Sequence, residues 1–280
     1  MKNTTTTAPP PSRPGWALRS NNVRRCATRL GITPDQLVAA LQDLIRILDA
    51  RGQRVVLRHK GWFTPPGKKG NGIRLNLGLL AGHLAESVVV GVKREDRDLC
   101  CWLTFDIDAK TAATMLTRNA RHAALVGALA GIPTITTRSS ANGGLHVHVF
   151  IAGTGITKAE VRAVAKAIAE AAGVPLRPGT LECFPSGNAL RLPFGKGSVL
   201  LDTCTLNPLP LTKFEQVRRF IAFAEKNAVS PERLFGVVPD FSPPAEPNGK
   251  RRRPQQRFTL HRLANMKSTA STFKDECRSA

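Results

Sequence analysis

Residues 99–108 have the sequence LCCWLTFDID, and this stretch decides the fold. Successive side chains of a β-strand point to opposite faces of its sheet. On one face the stretch places Leu99, Cys101, Leu103, Phe105 and Ile107. On the other face it places Trp102, Thr104, Asp106 and Asp108. We therefore predict a strand that packs one face against helices and leaves an open face that ends in two carboxylates.

The segments that follow alternate between helical and strand patterns. Helices are predicted over residues 109–131 and 158–172, and strands over 133–139, 145–152 and 180–184. A threonine followed three residues later by Gln or Glu predicts helix starts at Thr33, Thr157 and Thr212. The order βαββαβ is typical of the ferredoxin-like, RNA-recognition-type unit. The predicted fold class is therefore α+β, with this unit as its core.

The open faces of three strands carry ionisable side chains. In the usual strand order of this unit, the first strand lies between the third and the fourth. The strand alternation puts Asp106 and Asp108 on the first strand, His146 and His148 on the third, and Glu182 on the fourth. We therefore expect these five side chains to converge at one place on the open face.

The three carboxylates in this set are candidate catalytic and metal-binding residues. Mg²⁺ or Mn²⁺ takes oxygen ligands and keeps positions open for substrate phosphates. Asp106, Asp108 and Glu182 would supply such ligands. The alternative is that Asp108 only caps the following helix and Asp106 is a solvated strand end.

A small polar turn, SSANGG at residues 139–144, leads into the third strand. Backbone N–H groups of such a turn can approach a phosphate closely. We therefore predict that Ser140, Gly143, Gly144 and His146 bind a nucleotide. Because hard metals prefer oxygen, His146 is assigned to the triphosphate rather than to the metal. The alternative is an ordinary hairpin loop with a surface histidine.

His146-Val147-His148 also matches the His-hydrophobic-His pattern of rolling-circle initiators and relaxases. That chemistry uses a tyrosine nucleophile to form a DNA-linked intermediate. The chain contains no tyrosine. The usual form of that activity is therefore excluded.

The chain is strongly basic, with 41 Lys plus Arg against 20 Asp plus Glu and a formal net charge of +21. Basic side chains gain affinity for polyanions by displacing counterions from phosphates, so nucleic acid is the predicted partner. No apolar run approaches the roughly 20 residues that a membrane span needs, and we expect no membrane association. The 6 cysteines include no CxxC pair, which favours a reduced, cytoplasmic setting.

Four segments are predicted along the chain: a basic flexible arm over residues 1–30, an N-terminal α/β module over 31–97, a catalytic core over 98–242 and a basic disordered tail over 243–280. The arm has six basic residues and no acidic one, and the tail has nine basic against three acidic. An organellar transit peptide is the alternative for the arm.

Two segments carry candidate nucleic-acid-binding residues. Residues 51–76 interleave basic and aromatic side chains without an acid, in a predicted strand, glycine-rich turn and strand. Such a surface suits single-stranded nucleic acid, although a solvated hairpin is the alternative. The candidates are Arg58, Lys60, Trp62, Lys68, Lys69, and, in the tail, Arg251, Arg252 and Arg253.

Three stretches together resemble the catalytic motifs of archaeo-eukaryotic primases, and most of all the primase-polymerase domain associated with TOTE conflict systems. Residues 83–108 resemble the approach to the first motif, which ends here in DID. Residues 131–147 resemble the second motif, a Ser/Gly-rich turn that ends in a histidine. Residues 181–193, LECFPSGNALRLP, resemble the third motif and its downstream signature. At residue 148 the family commonly has Trp or Tyr, whereas this chain has His.

The resemblance implies a template-dependent primase or primase-polymerase that uses Mg²⁺ or Mn²⁺. It implies that Asp106, Asp108 and Glu182 bind the metal, that His146 holds the nucleotide's phosphates, and that Arg191 contacts phosphate or template. The implied partners are a single-stranded DNA template, NTPs or dNTPs, and a separately encoded helicase. The implied origin is a prokaryotic cell, phage or plasmid. A non-catalytic single-stranded-nucleic-acid-binding replication protein and a metal-dependent nuclease are the alternatives.

Overall fold

The computed structural model describes residues 21–48, 54–58, 62–63, 75–93, 99–109, 112–185 and 189–244. The helices in these residues are α1 (Asn21–Leu30), α2 (Pro34–Ile47), α3 (Leu77–Leu84), α4 (Ala112–Ala128), α5 (Lys158–Ala171), α6 (Lys213–Asn227) and α7 (Pro231–Phe235). The strands are β1 (Arg54–Arg58), β2 (Trp62–Phe63), β3 (Val89–Lys93), β4 (Leu99–Cys100), β5 (Trp102–Ile107), β6 (Ile135–Arg138), β7 (Leu145–Phe150), β8 (Ile156–Thr157), β9 (Leu181–Phe184), β10 (Leu190–Arg191) and β11 (Val199–Leu201).

The central sheet has the strand order β11-β6-β7-β5-β9, and all neighbouring strands are antiparallel. β5 therefore lies between β7 and β9, which confirms the predicted neighbours of the first strand. The predicted strand over residues 99–108 is divided at Cys101, because β4 pairs with β8 in a separate two-stranded sheet. A further sheet has the order β10-β3-β1-β2.

Helix starts were predictable from local sequence. Thr33, Thr157 and Thr212 each accept a hydrogen bond from the backbone N–H three residues later, and each forms the complete capping box. These bonds satisfy N–H groups that the first turn of a helix cannot use. They set the predicted beginnings of α2, α5 and α6.

One face of the central sheet packs against α4 and α5 in an apolar core. From β5 this core takes Leu103, Phe105 and Ile107, all of which are fully buried. α4 contributes Leu125 and α5 contributes Val161 to the same cluster. This is the helix-packing face that the alternation predicted.

The opposite face is covered, and the prediction of an open face was wrong for most of its length. Trp102, Thr104 and His148 are all fully buried on this side. α6 covers them with Phe220, and the N-terminal helices and β3 add side chains to the same core. The covering residues lie far away in sequence, so the strand pattern could not reveal them. Among the described β5 side chains on this face, Asp106 is partly exposed, at 33%.

One other prediction needs correction, and one helix was not predicted. Residues 21–30, predicted as part of a flexible arm, form α1, because Val23, Cys26 and Ala27 make an apolar stripe that is buried in the core. Helix α3 was not predicted, since its eight residues are apolar on nearly every side and show little periodicity. Residues 1–20 of the predicted arm and most of the predicted tail lie outside the described residues.

All described residues belong to one compact unit. The predicted boundary between residues 97 and 98 stays a prediction. In the part of the chain that the structure describes, no helix has the length and apolar character needed to cross a membrane.

Candidate active site

Three ionisable side chains lie in a row across the central sheet. Asp106 on β5 is the direct register partner of His146 on β7 and of Glu182 on β9. Residues directly opposite each other on antiparallel strands have Cβ atoms roughly 4.5–5.5 Å apart. The predicted convergence is therefore confirmed for this row.

His146 and Asp106 are in contact at one end of the row. Nε2 of His146 lies 3.4 Å from Oδ1 of Asp106, and the side chains are 2% and 33% exposed. Nδ1 of His146 is buried and has no hydrogen-bond partner among the described residues. The carboxylate is thus the polar neighbour that the structure gives this ring.

The two other carboxylates lie around Asp106. Oε1 of Glu182 accepts a hydrogen bond of 3.1 Å from the backbone N–H of Gly179. The backbone N–H of Asp108 donates to the Thr180 carbonyl at 3.2 Å, which extends the pairing of β5 with β9. Asp108 lies four residues before Ala112, where the described part of α4 begins, and residues 110 and 111 lie outside the described residues.

The donor set suits a hard cation, although it is incomplete. Among the described residues, no group of three or more His, Cys, Asp or Glu side chains is arranged to hold a metal ion. Mg²⁺ often binds through one or two carboxylates and completes its shell with water and substrate phosphates. Asp106 and Glu182 fit that pattern, because they are directly opposed and offer oxygen ligands.

The turn over residues 139–144 is tightly folded. Ser139 N–H donates to the Gly144 carbonyl at 2.7 Å, and Gly143 N–H donates to the Ser140 carbonyl at 3.1 Å. Gly143 has φ of +90°, and a Cβ at Gly144 would lie 2.7 Å from Oγ of Ser139. The positive φ favours glycine at residue 143, and a Cβ at Gly144 would also lie 3.3 Å from the Ile107 carbonyl, whatever ligand the turn binds.

Two arginines bind this turn from outside it, and a third binds the neighbouring Gly197. Arg118 on α4 donates to the Gly143 carbonyl, and Arg191 on β10 donates to the Ser139 carbonyl at 3.4 Å. Arg138 donates through Nε to the Gly197 carbonyl at 3.1 Å. Burial, together with the charge of Arg138, lowers the pKa of Arg118. Of the three, the sequence predicted a role for Arg191 alone.

His148 belongs to the core and not to the exposed site. Its ring is fully buried and packs edge-on against Phe220, with the ring centres 5.1 Å apart. Oγ1 of Thr104 lies 2.8 Å from its Nδ1, and Oγ1 of Thr137 lies 3.0 Å from its Nε2. Burial, and then the nearby His146, lowers the pKa of His148 well below its ordinary value, so the ring is neutral.

The predicted nucleic-acid-binding residues are described only in part. Arg58 on β1 is the register partner of Trp62 on β2, so strand pairing brings their backbones together. Lys60, Lys68, Lys69 and Arg251 to Arg253 lie outside the described residues.

No protein-family model and no curated protein matches the chain. Among solved structures, the chain is similar to the polymerase domain of Mycobacterium tuberculosis ligase D, solved in complex with DNA. The two chains are 17% identical with a TM-score of 0.39, and the match covers 71% of this chain and 92% of that one. Values this low do not establish a shared family, so the function has to be inferred from the residues of this chain.

Proposed function

We propose that this chain is a template-dependent primase or primase-polymerase, which joins nucleotides on single-stranded DNA by two-metal phosphoryl transfer. The observation that carries the proposal is the row of Glu182, Asp106 and His146 on three adjacent strands in a chain of net charge +21. A chain that only bound nucleic acid would gain nothing from two opposed carboxylates, because they repel phosphates.

Asp106 and Glu182 would hold Mg²⁺ or Mn²⁺, and Asp108, at the end of β5, would add a ligand as the substrate binds. A divalent cation bound there would lower the pKa of an attacking 3′-hydroxyl and neutralise charge on the phosphates. Oδ1 of Asp106 lies 3.4 Å from Nε2 of His146, so the metal and the phosphates would bind side by side.

His146 would contact the phosphates of the incoming nucleotide through Nε2. This nitrogen faces the partly exposed Asp106, whereas Nδ1 is buried. Arg138 would support the same role, since its Nε is held by the Gly197 carbonyl and its charge lies near that of Arg118. Ser140, Gly143 and Gly144 would shape the phosphate pocket, and Arg191 would contact phosphate or template from β10.

The test is incubation with a single-stranded DNA template, labelled NTPs or dNTPs, and Mg²⁺ or Mn²⁺. We expect template-dependent incorporation by the wild type and none by Asp106→Asn or Glu182→Gln, with single-stranded DNA binding retained. Asp43→Asn is the matched control, because Asp43 is a surface carboxylate that pairs with Arg46 on α2. Full activity in Asp106→Asn would overturn the assignment.

A second candidate is a non-catalytic single-stranded-nucleic-acid-binding replication protein. It is favoured by the absence, among the described residues, of a group of three side chains arranged to hold a metal. The same assay separates the candidates, since this protein would bind the template without incorporating nucleotides. Shortened template would instead indicate a metal-dependent nuclease.

A further inference from the structure

Among the described residues, His146 has no hydrogen bond that fixes its ring. Its Nδ1 is buried without a partner among the described residues, and its Nε2 is 3.4 Å from a carboxylate that is one-third exposed. At 3.4 Å this contact is longer than a usual N–H···O hydrogen bond and constrains the ring only weakly. We therefore look to the side chains packed around His146 for what sets its orientation.

His148 is the aromatic neighbour of His146 in the described part of the chain. The two rings meet edge to face, with their centres 5.8 Å apart. His148 cannot rotate freely, because both of its nitrogens are within hydrogen-bond distance of threonine hydroxyls. The two threonines belong to the strands on either side of β7, so His148 is tied across three adjacent strands.

Thr137 links this arrangement directly to the site. It contacts Nε2 of His148 through Oγ1, and it is also the register partner of His146. Thr104 lies on the other side as the register partner of His148, two residues before Asp106. Both threonines are fully buried, so water does not compete for their hydroxyls.

We propose that His148, held by Thr104 and Thr137, is a positioning residue that fixes the ring of His146 for phosphate binding. This inference rests on the function proposed above. In this proposal His148 acts through His146, since the fully buried ring of His148 cannot touch a substrate. Loss of a hydroxyl that holds His148 should therefore impair catalysis only when His146 is present.

The chain contains a matched control for this idea. Thr136, next to Thr137 on β6, points to the opposite face, where its Oγ1 lies 3.0 Å from Nε2 of the buried His122. Thr136→Val and Thr137→Val thus each remove one buried threonine–histidine hydrogen bond from the same strand. If Thr137 had only a structural role, the two substitutions would have the same kinetic effect.

The experiment compares steady-state nucleotide incorporation and urea unfolding for Thr136→Val, Thr137→Val and the wild type. We expect similar losses of stability, and a kcat/KM about three- to tenfold lower, mainly through a raised nucleotide KM, for Thr137→Val alone. In a His146→Ala background, Thr137→Val should have no further effect on kcat/KM.

Four outcomes would count against the inference. Equal kinetic effects of the two valine variants, or a full additional effect of Thr137→Val in the His146→Ala background, would overturn the positioning role while leaving the proposed function intact. A wild type that incorporates no nucleotide would overturn the proposed function, and this inference with it. If Thr137→Val does not fold, Thr137→Ser restores a hydroxyl and should recover the wild-type KM, and failure to recover it also contradicts the role.

Discussion

At the scale of single residues, His83 shows how burial makes a histidine a pH-sensitive part of the fold. Its Nδ1 accepts a hydrogen bond from the Val90 N–H at 3.0 Å, and its Nε2 donates to the Leu192 carbonyl at 2.9 Å. The ring is therefore neutral in the folded protein. Burial lowers its pKa from 6.5 to about 4, and the charge of Arg191 acts in the same direction.

This pKa predicts a loss of stability in acid. Protonation of His83 favours the unfolded chain, so its contribution is fully present above pH 6.5 and is lost as the pH falls towards 4. The contribution amounts to about 3 kcal/mol over that interval. His83→Gln should be less stable at pH 7, and its free energy of unfolding should fall less between pH 7 and pH 4.5. Urea titrations at the two pH values measure this, and parallel losses in both proteins would contradict it.

Residue positions in the site were predictable where they depend on strand alternation. A period of two placed Asp106, His146 and Glu182 on one face, and the strand order brought them together. Arg118 was not predictable, because its contact with Gly143 depends on how α4 lies over a turn 25 residues away in sequence. The same holds for Thr137, whose hydroxyl could equally have faced solvent.

At the scale of elements, the turn over residues 139–144 depends on a close backbone contact with Gly197. A Cβ at Gly197 would lie 2.4 Å from the backbone N of Ala141, and the residue has φ of +74°. A backbone atom cannot move aside without shifting the turn. We expect Gly197→Ala to displace the turn and to raise the nucleotide KM.

Gly131→Ala is the matched control for Gly197→Ala. Gly131 has a similar φ of +83°, but a Cβ there would meet nothing within 4 Å. It should lose only the roughly 1–2 kcal/mol of a left-handed residue, with unchanged KM. Gly197→Ala should lose more stability. Urea unfolding and steady-state kinetics measure both effects, and equal KM values for the two variants would show that the turn does not position the nucleotide.

The elements differ in how much local sequence determines them. The capping boxes of α2, α5 and α6 are local, so their starts were predicted correctly. The burial of the second sheet face is not local, since Phe220 reaches His148 from a helix some 70 residues later. A strand that is buried on both faces can show the same alternation of apolar and polar residues as a strand with one open face. It does so here because the Thr and His side chains on the covered face form hydrogen bonds inside the core.

At the scale of the whole molecule, the net charge of +21 is what makes nucleic acid the expected partner. Residues 243–280 contribute nine basic and three acidic residues, a net +6. If these residues contact phosphates, their affinity arises from released counterions and must depend on salt. The site carboxylates lie elsewhere in sequence, so DNA affinity and chemistry should be separable.

Deletion of residues 243–280 tests this separation. We expect weaker binding of single-stranded DNA, and a shallower dependence of log Kd on log salt, because each lost contact removes about 0.7 from the slope. Replacing Arg251, Arg252 and Arg253 with Gln should reduce the slope by at most about 2, which is the share of three contacts.

Fluorescence anisotropy across a salt series measures the slopes. At saturating template, kcat should equal that of the full chain in both variants. Equal slopes for the truncated and full-length proteins would show that this segment does not bind DNA, and a lowered kcat would show that it takes part in the chemistry.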